Sequence, residues 1–199
     1  MNATPSTCTQ DISAYVLCGG KSVRMQEEKG LVLYKGKPFI RWIIEAIMPI
    51  TSNIILVTSN GDYSLVGLPM IEDIYAEKGP VGGIYTALEH SSTEQNLILS
   101  CDIPKINTAL LSKIAEESSV NDSHVTFVSD GKNDYPLIGI YKKTAVKTFA
   151  DAISADKLKL CPLVNMISHQ KIIINSDEKA HVQNVNSKAE LLSLNLLDQ

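Results

Sequence analysis

Cations gathered behind a pair of glycines are the first feature of this sequence with chemical content. Lys21, Ser22, Arg24 and Lys29 follow Gly19-Gly20, and that pair ends a short apolar run, Ala14-Tyr15-Val16-Leu17-Cys18. Adjacent glycines permit a tight turn and let backbone N–H groups approach a ligand with no Cβ in the way. Lysine and arginine just beyond such a turn sit where a polyphosphate needs its charge neutralised. Farther along, the pair Glu72-Asp73 ends one short apolar run and Asp102 closes another. A lone aspartate in such a place is a good single-point ligand for Mg²⁺, which takes one or two carboxylates and completes its shell with phosphate oxygens and water. Together these groups suit a nucleoside triphosphate. The competing explanations are structural: solvent-facing cations after an ordinary turn, and aspartates serving as turn residues or helix caps.

Spacing excludes two familiar phosphate cradles. A P-loop ending in Gly20-Lys21-Ser22 needs glycine at position 15, which is Tyr15, and a dinucleotide fingerprint counted from Gly19 needs glycines where Lys21 and Arg24 stand. The four cysteines, Cys8, Cys18, Cys101 and Cys161, are far apart and form no C-x-x-C, so reduced thiols are expected rather than disulfides or a zinc site. His90, His124, His169 and His181 are equally scattered. A net charge of −4 gives no reason to expect nucleic acid as a partner. Neither a signal-like start nor an apolar run of membrane-spanning length is present, so a cytoplasmic protein without membrane contact is expected.

The elements that must position these residues read as an alternating series. Residues 1–11 are polar and aperiodic and predict a loose tail. Strands are expected at 14–18, 53–58, 68–71 and 96–101, then at 124–128, 137–141 and 171–175. Helices are expected from Pro38, as first helical residue, as far as Pro49, from Gly79, over 108–117, 142–153 and 163–167, and over 187–197, with Asn186 or Ser187 as the last N-cap. Regular alternation of strand and helix over 199 residues predicts one α/β domain, a mostly parallel sheet with helices on both faces. Ligands of such sheets bind beyond the carboxyl ends of the strands. That edge would carry Gly19 and Gly20 from the first strand, Asn60 from the second, Asp73 from the third and Asp102 from the fourth. Asp73 can accept from guanine N–H groups or ribose hydroxyls, or be a plain turn residue. Gly82 and Gly83, near a helix start, either let a base or pterin ring approach the backbone or allow tight helix packing.

Leu17-Cys-Gly-Gly-Lys-Ser-Val-Arg-Met25 with Lys29, Ile71-Glu-Asp73, Gly79-Pro80 with Gly82, Cys101-Asp102-Ile-Pro104 and Asn184-Val-Asn186 occur in that order. The set resembles the molybdenum cofactor guanylyltransferases, within the wider nucleotidyltransferases of similar three-layer, Rossmann-like fold. The resemblance implies GTP lying across the strand ends, with the backbone of Leu17, Cys18, Gly19 and Gly20 on the nucleotide and Arg24 and Lys29 on its phosphates. It implies Asn60 and Asp73 on guanine or ribose, Gly82 at the nucleotide, and Asp102 on Mg²⁺ and the phosphates. The terminal phosphate of molybdopterin would attack the α-phosphorus and release pyrophosphate, the pterin lying near Asn184 and Asn186. On that reading residues 12–105 form the nucleotide-binding half and 106–199 the acceptor half, and proteins that supply or receive the cofactor are expected as transient partners. A phosphate nucleophile needs no deprotonated side chain, so alignment and charge placement would carry the catalysis by Arg24, Lys29 and Asp102.

The sequence departs from that family at Cys18, Gln26 and Glu28, where alanine, glycine and aspartate are usual. Gln26 implies a differently shaped loop between Arg24 and Lys29. Relatives that use CTP tend to carry Ala-Gly at the position of Gly19-Gly20, so the glycine pair favours GTP. A cytidylyltransferase acting on molybdopterin or another phosphorylated small molecule, and a nucleotide-binding module without catalysis, are the alternatives. Cys18 and Cys101 would flank the site, which makes sensitivity to thiol reagents a further expectation.

Overall fold

In the computed structural model, which describes residues 11–19 and 28–197, the chain is built around β1 (Ile12–Leu17). All of its residues are buried, as expected of a strand covered on both faces. Next come a short hairpin, β2 (Leu33–Tyr34) and β3 (Lys37–Pro38), and helix α1 (Phe39–Ile47). The first half continues through β4 (Ile54–Val57), β5 (Met70–Ile71), α2 (Gly79–His90) and β6 (Gln95–Ser100). The second half consists of α3 (Thr108–Ser119), β7 (Val125–Ser129), β8 (Asp134–Lys142), α4 (Val146–Ser154), α5 (Leu160–Met166), β9 (His169–Ile173) and α6 (Lys188–Leu197).

One seven-stranded sheet runs through both halves in the order β5-β4-β1-β6-β8-β7-β9. Successive residues of β1 feed opposite layers, as the two-residue period of a strand requires. Ala14 and Val16 pack with Ile40, Ile43 and Ile47 of α1 and with Leu111 and Ile114 of α3. Tyr15 and Leu17 face Val81, Ile84 and Leu88 of α2 and Phe149 of α4. Each fully buried side chain of this size contributes roughly 1.5–3 kcal/mol, so both layers are firmly seated. From β1 the chain moves to β4 and β5 on one side, then crosses to β6 on the other, all in parallel. The change of side leaves a crevice at the carboxyl ends of β1 and β6, the usual ligand position in an open α/β sheet.

The expected three-layer architecture is present, with one reversal. β8 runs antiparallel to both β6 and β7. The cause is the tight turn between β7 and β8, too short for the crossover that a parallel pair needs. Asp130 organises this turn, accepting the N–H groups of Lys132 (2.9 Å) and Asn133 (2.7 Å). Element limits shift elsewhere. Pro38 is the residue preceding α1 rather than its first residue, because it still pairs with Leu33 in the hairpin. Lys142 ends β8, and a 3-10 turn (Lys143–Ala145) separates it from α4.

A third, smaller core matters most for the site. Val32, Tyr34 and Phe39 pack against Val185 and Leu194, with Trp42 and Leu191 alongside. Trp42 Nε1 also donates to Tyr34 O at 3.0 Å. This core docks the C-terminal helix onto the hairpin that follows Lys29. Segments distant in sequence, at 29 and 186, are thereby brought side by side.

Candidate active site

The ends of β1, β4 and β5 are level at one rim: Cys18 N–H donates to Val57 O (3.0 Å) and Thr58 N–H to Ile71 O (2.8 Å). Gly19 is exposed there, and a Cβ built on it would meet nothing nearer than Asp73 Oδ2, at 3.9 Å. Gly19 and Asp73 therefore face each other across the end of β4, leaving the backbone at Gly19 approachable. Partial loss of solvation raises the Asp73 carboxyl above the ordinary carboxylate value, with the Thr86 hydroxyl opposing that rise. A carboxylate in that position gains from N–H or O–H donors brought by a ligand.

Asn60 follows β4 and caps the 3-10 turn Gly61–Val66, its side-chain oxygen accepting Asp62 N–H at 2.9 Å. With that oxygen used by the turn, its amide nitrogen is the group suited to a ligand.

Beyond β6, the Lys29 ammonium lies 3.2 Å from Asp102 Oδ2 and also donates to Asn186 Oδ1. Asp102 does not cap the following helix. That task falls to Asn107, whose side chain accepts Leu110 N–H at 2.9 Å. Asp102 is only 6% exposed, and its second oxygen, Oδ1, is buried without a hydrogen-bond partner. An unpartnered carboxylate oxygen beneath a ligand rim is costly unless a cation or donor completes it, and this donor fits Mg²⁺. Among the described residues no group of three or more His, Cys, Asp or Glu could hold a metal. A metal here would take Asp102 and draw its other ligands from phosphate and water, the habit of Mg²⁺.

The Asn-x-Asn segment is fixed from two sides. Val185 N–H donates to Asp102 O at 2.8 Å. Ser187 Oγ accepts Glu190 N–H at 3.2 Å, and the Glu190 carboxylate accepts Asn186 N–H. Ser187 thus provides the helix cap, and the Asn186 side chain is left to Lys29. Beside it opens a cleft of about 610 Å³ lined by Tyr135, Lys179, Ala180, Gln183, Asn184 and Asn186. Lys179 is tied to Asp130 Oδ2 at 3.2 Å.

Asp102, Lys29 and Asn186 form one bonded group, Asn184 lines the cleft beside Asn186, and Leu17, Cys18, Gly19, Asn60 and Asp73 lie at or just beyond the neighbouring strand ends. Gly20, Arg24 and Gln26 lie outside the described residues. Gly82 lies in the first turn of α2. It is buried, and a Cβ there would come within 2.8 Å of Lys78 Cβ and 3.3 Å of Tyr75 O. Tight packing at the start of α2 is thus sufficient to require glycine here. The thiols differ from expectation: Cys18 is 2% exposed, Cys101 is 5% exposed, and burial pushes the Cys18 thiol well above its usual pKa. Neither has the accessible, thiolate-prone character of a reactive cysteine.

Two residues at the site were missed from sequence. Gly30 N–H donates to the hydroxyl of Tyr63, a fully buried residue in the turn after β4. The apolar periods that locate strands and helices carry no signal for such a turn.

A mostly parallel sheet with Gly19 at its rim, and with Lys29 paired to Asp102 beyond the switch point, has the three-layer α/β architecture of the nucleotidyltransferases. Comparison with known proteins agrees. Residues 14–167 match the family model described as "MobA-like NTP transferase domain". The chain is 47% identical over 187 residues to a protein of Flavobacterium johnsoniae named probable molybdenum cofactor guanylyltransferase, covering 94% of this chain and 98% of that one. The crystal structure of molybdopterin-guanine dinucleotide biosynthesis protein A from Archaeoglobus fulgidus superposes with a TM-score of 0.80 at 19% identity, covering 94% and 98% of the two chains. The fold is shared more widely: a 4-diphosphocytidyl-2C-methyl-D-erythritol synthase from Anaerococcus prevotii gives a TM-score of 0.75 at 10% identity, covering 96% and 97%. The chain belongs to the MobA-like NTP transferase family.

Proposed function

We propose that this enzyme transfers GMP from GTP to the terminal phosphate of molybdopterin, releasing pyrophosphate. The observation that carries the proposal is the junction of Lys29, Asp102 and Asn186, where three stretches distant in sequence meet. The name of the Flavobacterium relative supports guanine as the base and the molybdenum cofactor as the acceptor. The base and ribose are assigned to the rim between Gly19, Asn60 and Asp73, and the triphosphate to the region of Lys29 and Asp102. The acceptor is assigned to the cleft at Asn184 and Asn186.

Each residue then has a physical task. Backbone donors at the end of β1 orient the nucleotide without adding bulk. The Lys29 ammonium, held by Asp102 and Asn186, places positive charge where the α-phosphate and leaving pyrophosphate carry negative charge. Asn186 connects that ammonium to the acceptor cleft, so nucleotide and acceptor are aligned by one group. The acceptor phosphate is already an anionic nucleophile, and no side chain has to remove a proton from it. Asp102 would hold Mg²⁺ through Oδ1, and the ion when bound would neutralise charge on triphosphate oxygens. Among the described residues no helix is long and apolar enough to cross a membrane. We assign the enzyme to the cytoplasm, with transient contacts to the proteins that supply and receive the cofactor.

Incubation with α-labelled GTP, Mg²⁺ and molybdopterin tests the proposal. The expected result is label in a guanine dinucleotide and one pyrophosphate for each product formed. Release of labelled GDP, or no labelled product at all, would overturn it.

A further inference from the structure

We propose that Tyr63 is a positioning residue for Lys29, fixing where its ammonium sits although it touches no substrate. The inference rests on the reading of Lys29 as a phosphate-binding group. Lys29 opens a 3-10 turn, Lys29–Leu31, immediately before the hairpin. Backbone bonds inside it, from Leu31 N–H to Glu28 O (2.9 Å) and from Val32 N–H to Lys29 O (3.2 Å), set its shape but not its place on the sheet. Its place is set by Gly30. The Gly30 N–H points inward and donates to Tyr63 Oη at 3.2 Å, and the missing side chain lets the peptide lie against the phenol ring.

Tyr63 provides a rigid anchor. It is fully buried in the core shared by α1, α3 and β1, and Asn60 caps its turn. It shares that core with Cys18, the residue that follows β1 and precedes the glycine rim. The phenol oxygen thus ties the turn that carries Lys29 to the core beneath the strand ends. A buried tyrosine usually finds a hydrogen-bond partner. Here the partner is the peptide next to the charged group that links Asp102 to Asn186.

Replacing Tyr63 by phenylalanine keeps the ring and removes only the oxygen. Val66→Ala, a truncation of the other buried residue in the same turn, serves as the control for loss of packing. Two readouts are compared: hydrogen exchange of the Lys29 side-chain ammonium by ¹⁵N NMR, and affinity for GTP with Mg²⁺ by calorimetry. Tyr63→Phe is expected to speed ammonium exchange and weaken GTP binding by about tenfold each, whereas Val66→Ala lowers the melting temperature and leaves both unchanged. In a Lys29→Ala background, Tyr63→Phe is expected to have no further effect on GTP affinity. Unchanged ammonium exchange in Tyr63→Phe, or an equal change in Val66→Ala, would overturn the proposal. Failure of the wild type to bind GTP would count against the assigned function instead, and the ammonium exchange would still decide the role of Tyr63.

Discussion

Gly30→Ala places a methyl group in occupied space. The new Cβ would lie 2.6 Å from Tyr63 Oη, 3.0 Å from Tyr63 Cε1 and 3.2 Å from Cys101 Cβ. Tyr63 has no exposed surface into which its ring can swing, and Cys101 is held at the end of β6. Relief must come from moving the Lys29 turn outward. Overpacking of this kind costs roughly 1–3 kcal/mol, and a domain of this size loses about 2–4 °C of melting temperature per kcal/mol. The expected fall is therefore about 2–12 °C, with transfer reduced at least tenfold because Lys29 moves with its neighbour. Removing the nearest atom should relieve part of the clash. The double variant Gly30→Ala/Tyr63→Phe should be more stable than the two single losses combined, by about 1 kcal/mol in a double-mutant cycle. Denaturant unfolding of the four proteins, with activity measured beside it, provides the check. An unchanged melting temperature for Gly30→Ala, or strict additivity in the cycle, would refute the reasoning.

Asp102→Asn keeps the shape of the side chain and removes its charge; transfer should fall about 100-fold or more with an unchanged circular dichroism spectrum, and normal turnover would remove Asp102 from the metal site. Asp130 is held well below the usual carboxylate range, first by the Asn133 and Lys132 N–H groups and then by Lys179. Because its folded pKa is depressed, its stabilising effect is present above the unfolded value of about 4 and fades as pH falls through the folded one. The stability difference between wild type and Asp130→Ala should accordingly be full at pH 7 and shrink below about pH 4. Under native conditions a thiol reagent should modify exposed Cys161 well before Cys18 or Cys101, as peptide mapping by mass spectrometry would show; rapid labelling of Cys18 would contradict its burial.

Much of this architecture is legible because one-dimensional signals suffice for it. The apolar runs that form β1, β4 and β6 are short and bounded, and a parallel sheet places whatever follows each run on the same rim. Asp102 and Gly19 could be assigned to one edge by that rule alone. The direct contact between Lys29 and Asn186 could not. It depends on Val185 and Leu194 packing against Val32 and Phe39, a long-range hydrophobic match with no local signature. Gly82 is ambiguous for a related reason: a glycine that admits a ligand and one that admits a neighbouring side chain look alike in sequence, and the proximity of Lys78 appears only in the fold. Tyr63 was missed because an aromatic residue in a turn gives no sign that its hydroxyl is directed at a distant peptide.

The nucleotide itself tests the central claim most directly. Enzyme, Mg²⁺ and molybdopterin should be given an equimolar mixture of α-labelled GTP and CTP, and the dinucleotide product identified by mass. The account predicts a product carrying GMP, formed with matching pyrophosphate and lost in Asp102→Asn. A product carrying CMP, or one whose yield is indifferent to Asp102, would contradict it.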